Sequence, residues 1–180
     1  KVLVDNFGVQ PLVVGPGVKT GSSIKTQDPV AVGSDRVVNA LAGREFYGAP
    51  CLIVDFGTAT SFVYVSRAGD YEGGVIAPGL NLSLESLVRN TAKLPRIELV
   101  MPKTVIGKNT VGAMQTGAVL GYVCMVDGLI TKIIEEVGPI EHVIATGGLG
   151  SLLCQHSKLI QHYDPHLTLK GMTLVARLNS

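Results

Sequence analysis

The chain has 180 residues, of which 46% are hydrophobic and only 16% are charged. Its 15 Lys and Arg residues nearly balance its 14 Asp and Glu residues, so the formal net charge is +1. This composition excludes intrinsic disorder, which requires low hydrophobicity and a high net charge. It also argues against a nucleic-acid partner, because proteins that bind a phosphate backbone usually carry a basic surface.

The sequence predicts neither a leader peptide nor a membrane span. No basic, then apolar, then small-residue pattern opens the chain. The longest uncharged run, residues 109–126, contains three glycines and several polar residues, so we interpret it as a buried helix. The three cysteines, Cys51, Cys124 and Cys154, are far apart and lie beside apolar residues. This pattern indicates core thiols in a reducing cytoplasm.

The first part of the chain predicts a short supersecondary unit without a sheet of its own. An apolar strand at residues 12–14 precedes a turn rich in glycine and proline. A helix is predicted over residues 34–47, with Ser34 as its N-cap and Gly48 after its end. We interpret residues 1–49 as the C-terminal remnant of a first domain.

Residues 50–180 predict a second domain, in which a β-meander precedes alternating helices and strands. The predicted strands are residues 51–55, 61–65, 71–77, 142–145 and 167–169. The predicted helices are residues 81–90, 109–137 and 151–160, followed by a terminal helix. This order is typical of a ribonuclease H-like α/β fold, and a fold alone implies no chemistry.

The first candidate site is a carboxylate at a strand end. Asp55 closes an apolar run and is followed at once by a turn containing Gly57 and Thr58. The carboxylate could bind a cation, while N–H groups and hydroxyls of the turn could meet phosphate oxygens. An ordinary hairpin turn, in which Asp and Thr hydrogen-bond locally, explains the same residues.

The second candidate site opens the helix at residues 34–47. Asp35 could accept a proton from a substrate hydroxyl, and Arg36 could bind a carboxylate through two hydrogen bonds. Gly33 would give the backbone freedom there. The alternative is structural, with Ser34 capping the helix and Asp35 complementing the helix dipole.

Two further segments are weaker candidates. Gly147 and Gly148 follow a predicted strand and would let the backbone approach a flat ligand, although a tight strand-to-helix turn explains them equally well. Thr110, at the start of the long helix, either helps to cap that helix or faces a pocket. Residues 15–20 fail the P-loop spacing, and Gly107-Lys108 fails as a P-loop because Asn109 stands where Ser or Thr is required. The four histidines lack metal-binding spacing.

Taken together, these segments resemble the type III pantothenate kinase family. The resemblance is carried, in order along the chain, by residues 15–21, 28–29, 32–40, 54–60, 73–79, 90–95, 106–117 and 145–150. It implies a homodimer of the actin/sugar-kinase/Hsp70 superfamily, with two ribonuclease H-like halves around an ATP cleft. It also implies transfer of the γ-phosphoryl group of ATP to the terminal hydroxyl of pantothenate, in coenzyme A synthesis. Mg²⁺ and a monovalent cation, K⁺ or NH₄⁺, are implied as cofactors.

The resemblance assigns roles to residues already considered. It implies that Asp35 is the catalytic proton acceptor and that Asp55 binds the monovalent cation. The residues implied to bind pantothenate are Gly33, Ser34, Asp35, Arg36 and Thr110. The residues implied to bind ATP are Gly57, Thr58, Gly147 and Gly148.

The sequence also departs from the family pattern. The family's first phosphate motif, Asp-x-Gly-Asn-Thr, is not found in these 180 residues. Thr26 stands where a pantothenate-contacting tyrosine is frequent, and Val63 where an Asp is frequent. We therefore expect the 180-residue chain by itself to be inactive, and robust phosphorylation of pantothenate by it would contradict this expectation.

Two other functions stay open at this point. One is a non-catalytic nucleotide-binding protein of the same fold, with a regulatory or accessory role. The other is a kinase of the same superfamily acting on a sugar or acetate, against which residues 33–36 and 90–95 weigh. A motif Asp-x-Gly-Asn-Thr elsewhere in the gene would favour the pantothenate kinase, and its absence the regulator.

Overall fold

The structure is a computed structural model that describes residues 2–180. Its strands are β1 (Cys51–Phe56), β2 (Ala59–Val65), β3 (Tyr71–Pro78), β4 (His142–Thr146) and β5 (His162–Tyr163). Its helices are α1 (Val2–Phe7), α2 (Ser34–Tyr47), α3 (Leu80–Arg89), α4 (Thr110–Gln115), α5 (Gly121–Val137), α6 (Gly150–Leu153) and α7 (Leu167–Leu178).

The five strands form one mixed sheet in the order β3-β2-β1-β4-β5. The meander β1-β2-β3 is antiparallel, as short hairpin connections require. Strands β4 and β5 run parallel to β1, and each is reached through a helical crossover. This order confirms the predicted ribonuclease H-like α/β fold.

Each face of the sheet is covered by helices, because successive side chains of a strand point to opposite faces. On one face, Leu52 and Val54 of β1 belong to a core that includes Val126 and Ile130 of α5. On the other face, Ile53 packs with residues of α2. The buried β1 strand therefore forms the centre of the domain.

Helix α2 shares a core with the sheet. Its residues Ala40 and Ala42 pack with Ile53, while its Val38 packs with Val175 of α7. A domain boundary at residue 50 would divide this core, so we propose that the compact unit begins before α2. The helix has the predicted bounds, but its N-cap is the residue before Ser34, and no side chain caps it.

Three predicted elements differ from the structure. Residues 12–14 form no strand in the described part of the chain, and the segment before α2 reaches the sheet later, at a bridge between Ile24 and Tyr71. The predicted helix at 151–160 ends early, because the Asp127 carboxylate accepts hydrogen bonds from the Ser157 hydroxyl and the Lys158 N–H group. Residues 167–169 begin α7 instead of forming a strand.

The long helix predicted at 109–137 is continuous, but it contains a π-helical turn, Thr116–Leu120, between α4 and α5. Only one face of it is buried, so the prediction of a buried helix holds for that face alone. By length and composition, Thr110–Val137 could also cross a membrane, a test that core helices of soluble proteins pass as well. The prediction of no membrane partner stays a prediction.

The cysteines are not all core thiols. Burial raises the pKa of the Cys51 thiol to about 12 and that of Cys154 to about 11. Cys124 is exposed, so the prediction is wrong for this residue. It lies on the side of α5 that faces away from the core.

Candidate active site

Two turns meet at the carboxyl ends of adjacent parallel strands. Asp55 of β1 pairs with Thr146 of β4, and the turns that follow contain Gly57 and Gly147 respectively. Gly147 has φ +91°, and a Cβ atom there would lie 2.6 Å from the Phe56 carbonyl oxygen and 2.7 Å from Asp55 Oδ1. Only glycine therefore allows this close approach, at the end of the sheet where α/β proteins commonly bind ligands.

The Asp55 carboxylate is partly buried between the Gly147 turn and α2. Its Oδ2 atom accepts a hydrogen bond of 2.9 Å from Asn39 Nδ2. Burial raises the pKa of Asp55, the Asn39 hydrogen bond opposes this effect, and the negative charge of Asp35 adds to it. The two carboxylates are thus close enough for the charge of Asp35 to disfavour the ionised form of Asp55.

Asn39 is a site residue that the sequence analysis missed. Its side chain is buried, and its Oδ1 atom accepts a hydrogen bond of 2.8 Å from the Thr168 hydroxyl. This contact leaves the Asn39 amide group to donate to Asp55. The available signal was a polar residue inside the apolar run of α2, which is unfavourable unless the side chain has a partner.

Asp35 lies in the first turn of α2 and is exposed. A Cβ atom at Gly33 would lie 2.5 Å from Asp35 Oδ1 and 3.5 Å from Arg36 Nε. Both charged side chains therefore fold back over the Gly33 backbone, beside the free N–H groups of the helix start. Ser34 is exposed there as well and accepts no capping hydrogen bond.

Arg36 extends towards buried Tyr71 at the start of β3. Burial raises the pKa of Tyr71, while the Arg36 charge and a hydrogen bond from its guanidinium lower it. The Tyr71 backbone holds the neighbouring segment, donating to the Ser23 carbonyl over 2.9 Å and accepting from Lys25 N–H over 2.8 Å. Next along that segment, the buried Thr26 hydroxyl has no hydrogen-bond partner among the described residues.

A cleft of about 580 Å³ lies beside the two glycine turns. Its lining includes Gly57, Thr58 and Gly148, which the sequence analysis had assigned to one ligand. Asn81 and Glu85 of α3 line it too, and neither was singled out from the sequence. The structure thus brings the three turn residues together around one cavity.

Thr110 lies elsewhere. It lines a groove of about 550 Å³ between α3 and α4, together with apolar residues such as Leu84 and Met114. The lining of this groove includes neither Asp35 nor Arg36. The assignment of Thr110 to the pantothenate-binding residues therefore stays a prediction.

Tyr122 of α5 connects the groove to the cleft. Its ring lines the groove, and its hydroxyl donates to the Pro78 carbonyl over 3.1 Å and shares a short hydrogen bond with the Thr60 hydroxyl. Thr60 lies just after the Gly57–Thr58 turn, and Pro78 just before α3. One buried phenol thus touches both elements that form the cleft.

The site offers oxygen donors for a cation but no complete metal cage. Across residues 2–180, no group of three or more His, Cys, Asp and Glu residues could hold a metal ion. Mg²⁺ usually binds through one or two carboxylates together with substrate phosphates and waters, so it does not need such a cage. Asp55 Oδ1 and the Phe56 carbonyl both lie against the Gly147 turn and suit a hard cation.

Comparison with known proteins places these features in a family. The family model of type III pantothenate kinases matches residues 1–132. A type III pantothenate kinase from Exiguobacterium sp. is 52% identical over 96% of this chain and 68% of its own length. One from Bacillus cytotoxicus is 50% identical over 97% of this chain and 66% of its own length.

The chain thus spans about two thirds of the length of these relatives. A crystal structure from Campylobacter jejuni, described as a Baf family transcriptional activator, has a similar fold. Its TM-score is 0.59 with 21% identity, over 87% of this chain and 68% of that one. Identity this low supports the fold only, whereas the family model and the two kinases establish the relationship: the chain belongs to the type III pantothenate kinase family.

Proposed function

We propose that the full-length protein transfers the γ-phosphoryl group of ATP to the terminal hydroxyl of pantothenate, giving 4'-phosphopantothenate. The observation that carries this proposal is the convergence of Asp35, Asp55 and two glycine turns at one end of the sheet. Kinases need mainly positioning and charge neutralisation, which carboxylates, cations and N–H groups can supply.

The proposed proton acceptor is Asp35. The hydroxyl oxygen of pantothenate bonds to the γ-phosphorus, the bond from that phosphorus to the bridging oxygen of ADP breaks, and the hydroxyl proton passes to the Asp35 carboxylate. An exposed carboxylate suffices as the acceptor, because the hydroxyl loses its proton late in a loose transition state. Its position over Gly33 keeps it next to the free N–H groups of α2.

Other residues would position the substrates. Arg36 is suited to the pantothenate carboxylate, since its guanidinium can form two parallel hydrogen bonds. The N–H groups of the Gly57–Thr58 turn are suited to phosphate oxygens. Asp55 would hold the monovalent cation, K⁺ or NH₄⁺, and Mg²⁺ bound with ATP would neutralise phosphate charge. We also propose a cytoplasmic homodimer that binds neither nucleic acid nor a membrane.

An assay of ADP release tests the activity. Pantothenate is compared with pantetheine and with sugars, and the full-length protein is expected to release ADP with pantothenate, faster with K⁺ than without. Complete indifference to pantothenate would overturn the proposal. Substrate-independent nucleotide binding without turnover would instead indicate a regulatory protein of the same fold.

The role of Asp35 has a separate test. Asp35→Asn removes the proton acceptor but few contacts, so kcat is expected to fall about 100-fold or more while KM stays nearly unchanged. The exposed Glu136, which forms no ion pair with the described residues, supplies the control Glu136→Gln. A rise in KM with kcat preserved would show that Asp35 binds substrate and does not accept the proton.

A further inference from the structure

We infer that Asn81 and Glu85 bind the ribose hydroxyls of the nucleotide. The inference rests on the proposed function, because it takes the cleft beside the glycine turns as the nucleotide site. It adds a specificity role for two residues of α3, which neither the sequence motifs nor the family match assigns.

Both side chains face the same cavity. Asn81 and Glu85 are four residues apart in α3, so they lie on one face of the helix, one turn apart. Thr58 and Gly148 line the same cavity. The two polar groups therefore share one cavity with the turn proposed to bind phosphates and the turn proposed to bind the base.

The position of α3 relative to the phosphate turn is fixed by the backbone. Gly79, immediately before the helix, donates its N–H to the Thr58 carbonyl over 3.1 Å. A Cβ atom at Gly79 would lie 2.3 Å from that same oxygen. This direct contact of backbone on backbone keeps Asn81 and Glu85 at a set distance from the turn.

Neither side chain has a competing partner. In the described part of the chain, Asn81 and Glu85 form no side-chain hydrogen bond and no ion pair. Asn81 and Glu85 also line a neighbouring cavity with Arg89 and Arg96, and among the described residues neither arginine forms an ion pair with Glu85. The Glu85 carboxylate is consequently a charged acceptor with free lone pairs, open to the cleft.

The chemistry of the carboxylate selects the ribose. Without a cation between them, the negative charge of Glu85 would repel the phosphates of a nucleotide. The two ribose hydroxyls are donors, and one carboxylate can accept from both. In ATP the ribose lies between the phosphates and the base, and the lining of the cleft includes Glu85 together with residues of both turns, Thr58 and Gly148.

Equilibrium binding of nucleotides to the full-length protein tests this inference without requiring turnover. ADP is expected to bind more tightly than 2',3'-dideoxy-ADP. Glu85→Ala and Glu85→Gln are expected to weaken ADP binding by about tenfold, as for the loss of a hydrogen bond to a charged group, and to leave dideoxy-ADP nearly unchanged. Asn81→Ala is expected to weaken ADP binding by about threefold.

Controls separate a ribose contact from other effects. Glu136→Gln changes an exposed acid away from the cleft and is expected to leave ADP binding unchanged. Equal weakening of ADP and dideoxy-ADP binding by Glu85→Gln would overturn the inference. It would also be overturned if the substitution weakened the binding of ADP but not of inosine diphosphate, because Glu85 would then contact the amine of the base. If substitution of Glu85 leaves ADP binding unchanged, the inference fails and the proposed function stands. If the full-length protein does not phosphorylate pantothenate, the proposed function fails.

Discussion

Asp55 and Asp164 are both carboxylates removed from solvent near the carboxyl ends of parallel strands, but their surroundings differ. Asp164 accepts hydrogen bonds from Lys170 Nζ at 2.6 Å, His166 N–H at 3.0 Å and the Tyr47 hydroxyl at 3.1 Å. Asp55 receives one side-chain hydrogen bond, from Asn39. The first carboxylate is satisfied by the fold, while the second keeps acceptor capacity for a ligand.

The pKa shifts follow this difference. Burial alone would raise both pKa values, yet the hydrogen bonds from Lys170, His166 and Tyr47 lower the pKa of Asp164 overall. For Asp55 burial prevails over the single hydrogen bond, so its pKa is raised. Asp164 joins the end of α2 to α7 and stabilises the fold. A partly buried carboxylate with a single hydrogen bond and a raised pKa, such as Asp55, is more typical of functional sites.

The largest expected effect is at the turn that covers Asp55. Gly147→Ala places a methyl group against the Phe56 carbonyl and Asp55 Oδ1 and forces a residue with a side chain to φ +91°. We expect a loss of about 2–3 kcal/mol in the free energy of unfolding and at least tenfold weaker ADP binding. Urea denaturation measures the free energy of unfolding, and titration with ADP measures the affinity.

The neighbouring glycine supplies the matched control. A Cβ atom at Gly148 would meet no atom within 4 Å, and this residue lacks the positive φ of Gly147. Gly148→Ala is therefore expected to change the free energy of unfolding by less than about 0.5 kcal/mol. Equal destabilisation by both substitutions would show that Asp55 does not depend on the close approach of Gly147.

The next largest effect is at Asp164. Asp164→Asn removes the charge that Lys170 contacts, so the free energy of unfolding should fall by about 1–2 kcal/mol at neutral pH. Because the folded pKa is lowered, this stabilisation exists above the unfolded pKa and disappears as the pH falls through the folded value. The difference in the free energy of unfolding between the two proteins should therefore be largest at about pH 7 and should shrink steadily as the pH is lowered below the unfolded pKa. A difference independent of pH would mean that packing, and not the charge, stabilises this corner.

The smallest effect, with the opposite sign, is at Asp55. The folded pKa is raised, so the ionised carboxylate costs stability above that pKa, and the cost is relieved as the pH falls through it. Asp55→Asn is expected to raise the thermal midpoint slightly at neutral pH while abolishing stimulation by K⁺. A lower midpoint would show that the fold compensates this charge as well as it does that of Asp164.

The sequence predicted the meander well because each strand is an apolar run bounded by turn residues. The predicted and observed ends of the first three strands differ by two residues or fewer. The error at residues 167–169 has a clear physical origin. Leu-Thr-Leu alternates like a strand, but Leu167, Gly171 and Val175 are buried at helical spacing, and packing on α2 decides the outcome.

The motifs of the candidate site could be predicted from the sequence, but the contacts between its residues could not. Asp35, Asp55 and the glycine turns were found because each combines a special residue with a strand or helix end. The partners Asn39 and Thr168 were not found, since 129 residues separate them and only the folded α2–α7 pair brings them together. Glu85 had no signal at all, because a Glu in an amphipathic helix looks like any solvated charge.

The Tyr122 side chain contacts residues next to both the cleft and the groove. It holds Thr60 behind the phosphate turn and Pro78 before α3, while its ring forms a wall of the groove that contains Thr110. Displacement of the ring by a ligand in that groove would break the hydrogen bonds of Tyr122 to both Thr60 and Pro78. If displacement of the Tyr122 ring changed the affinity of the cleft for its ligand, that ligand would change the affinity of the groove by the same factor.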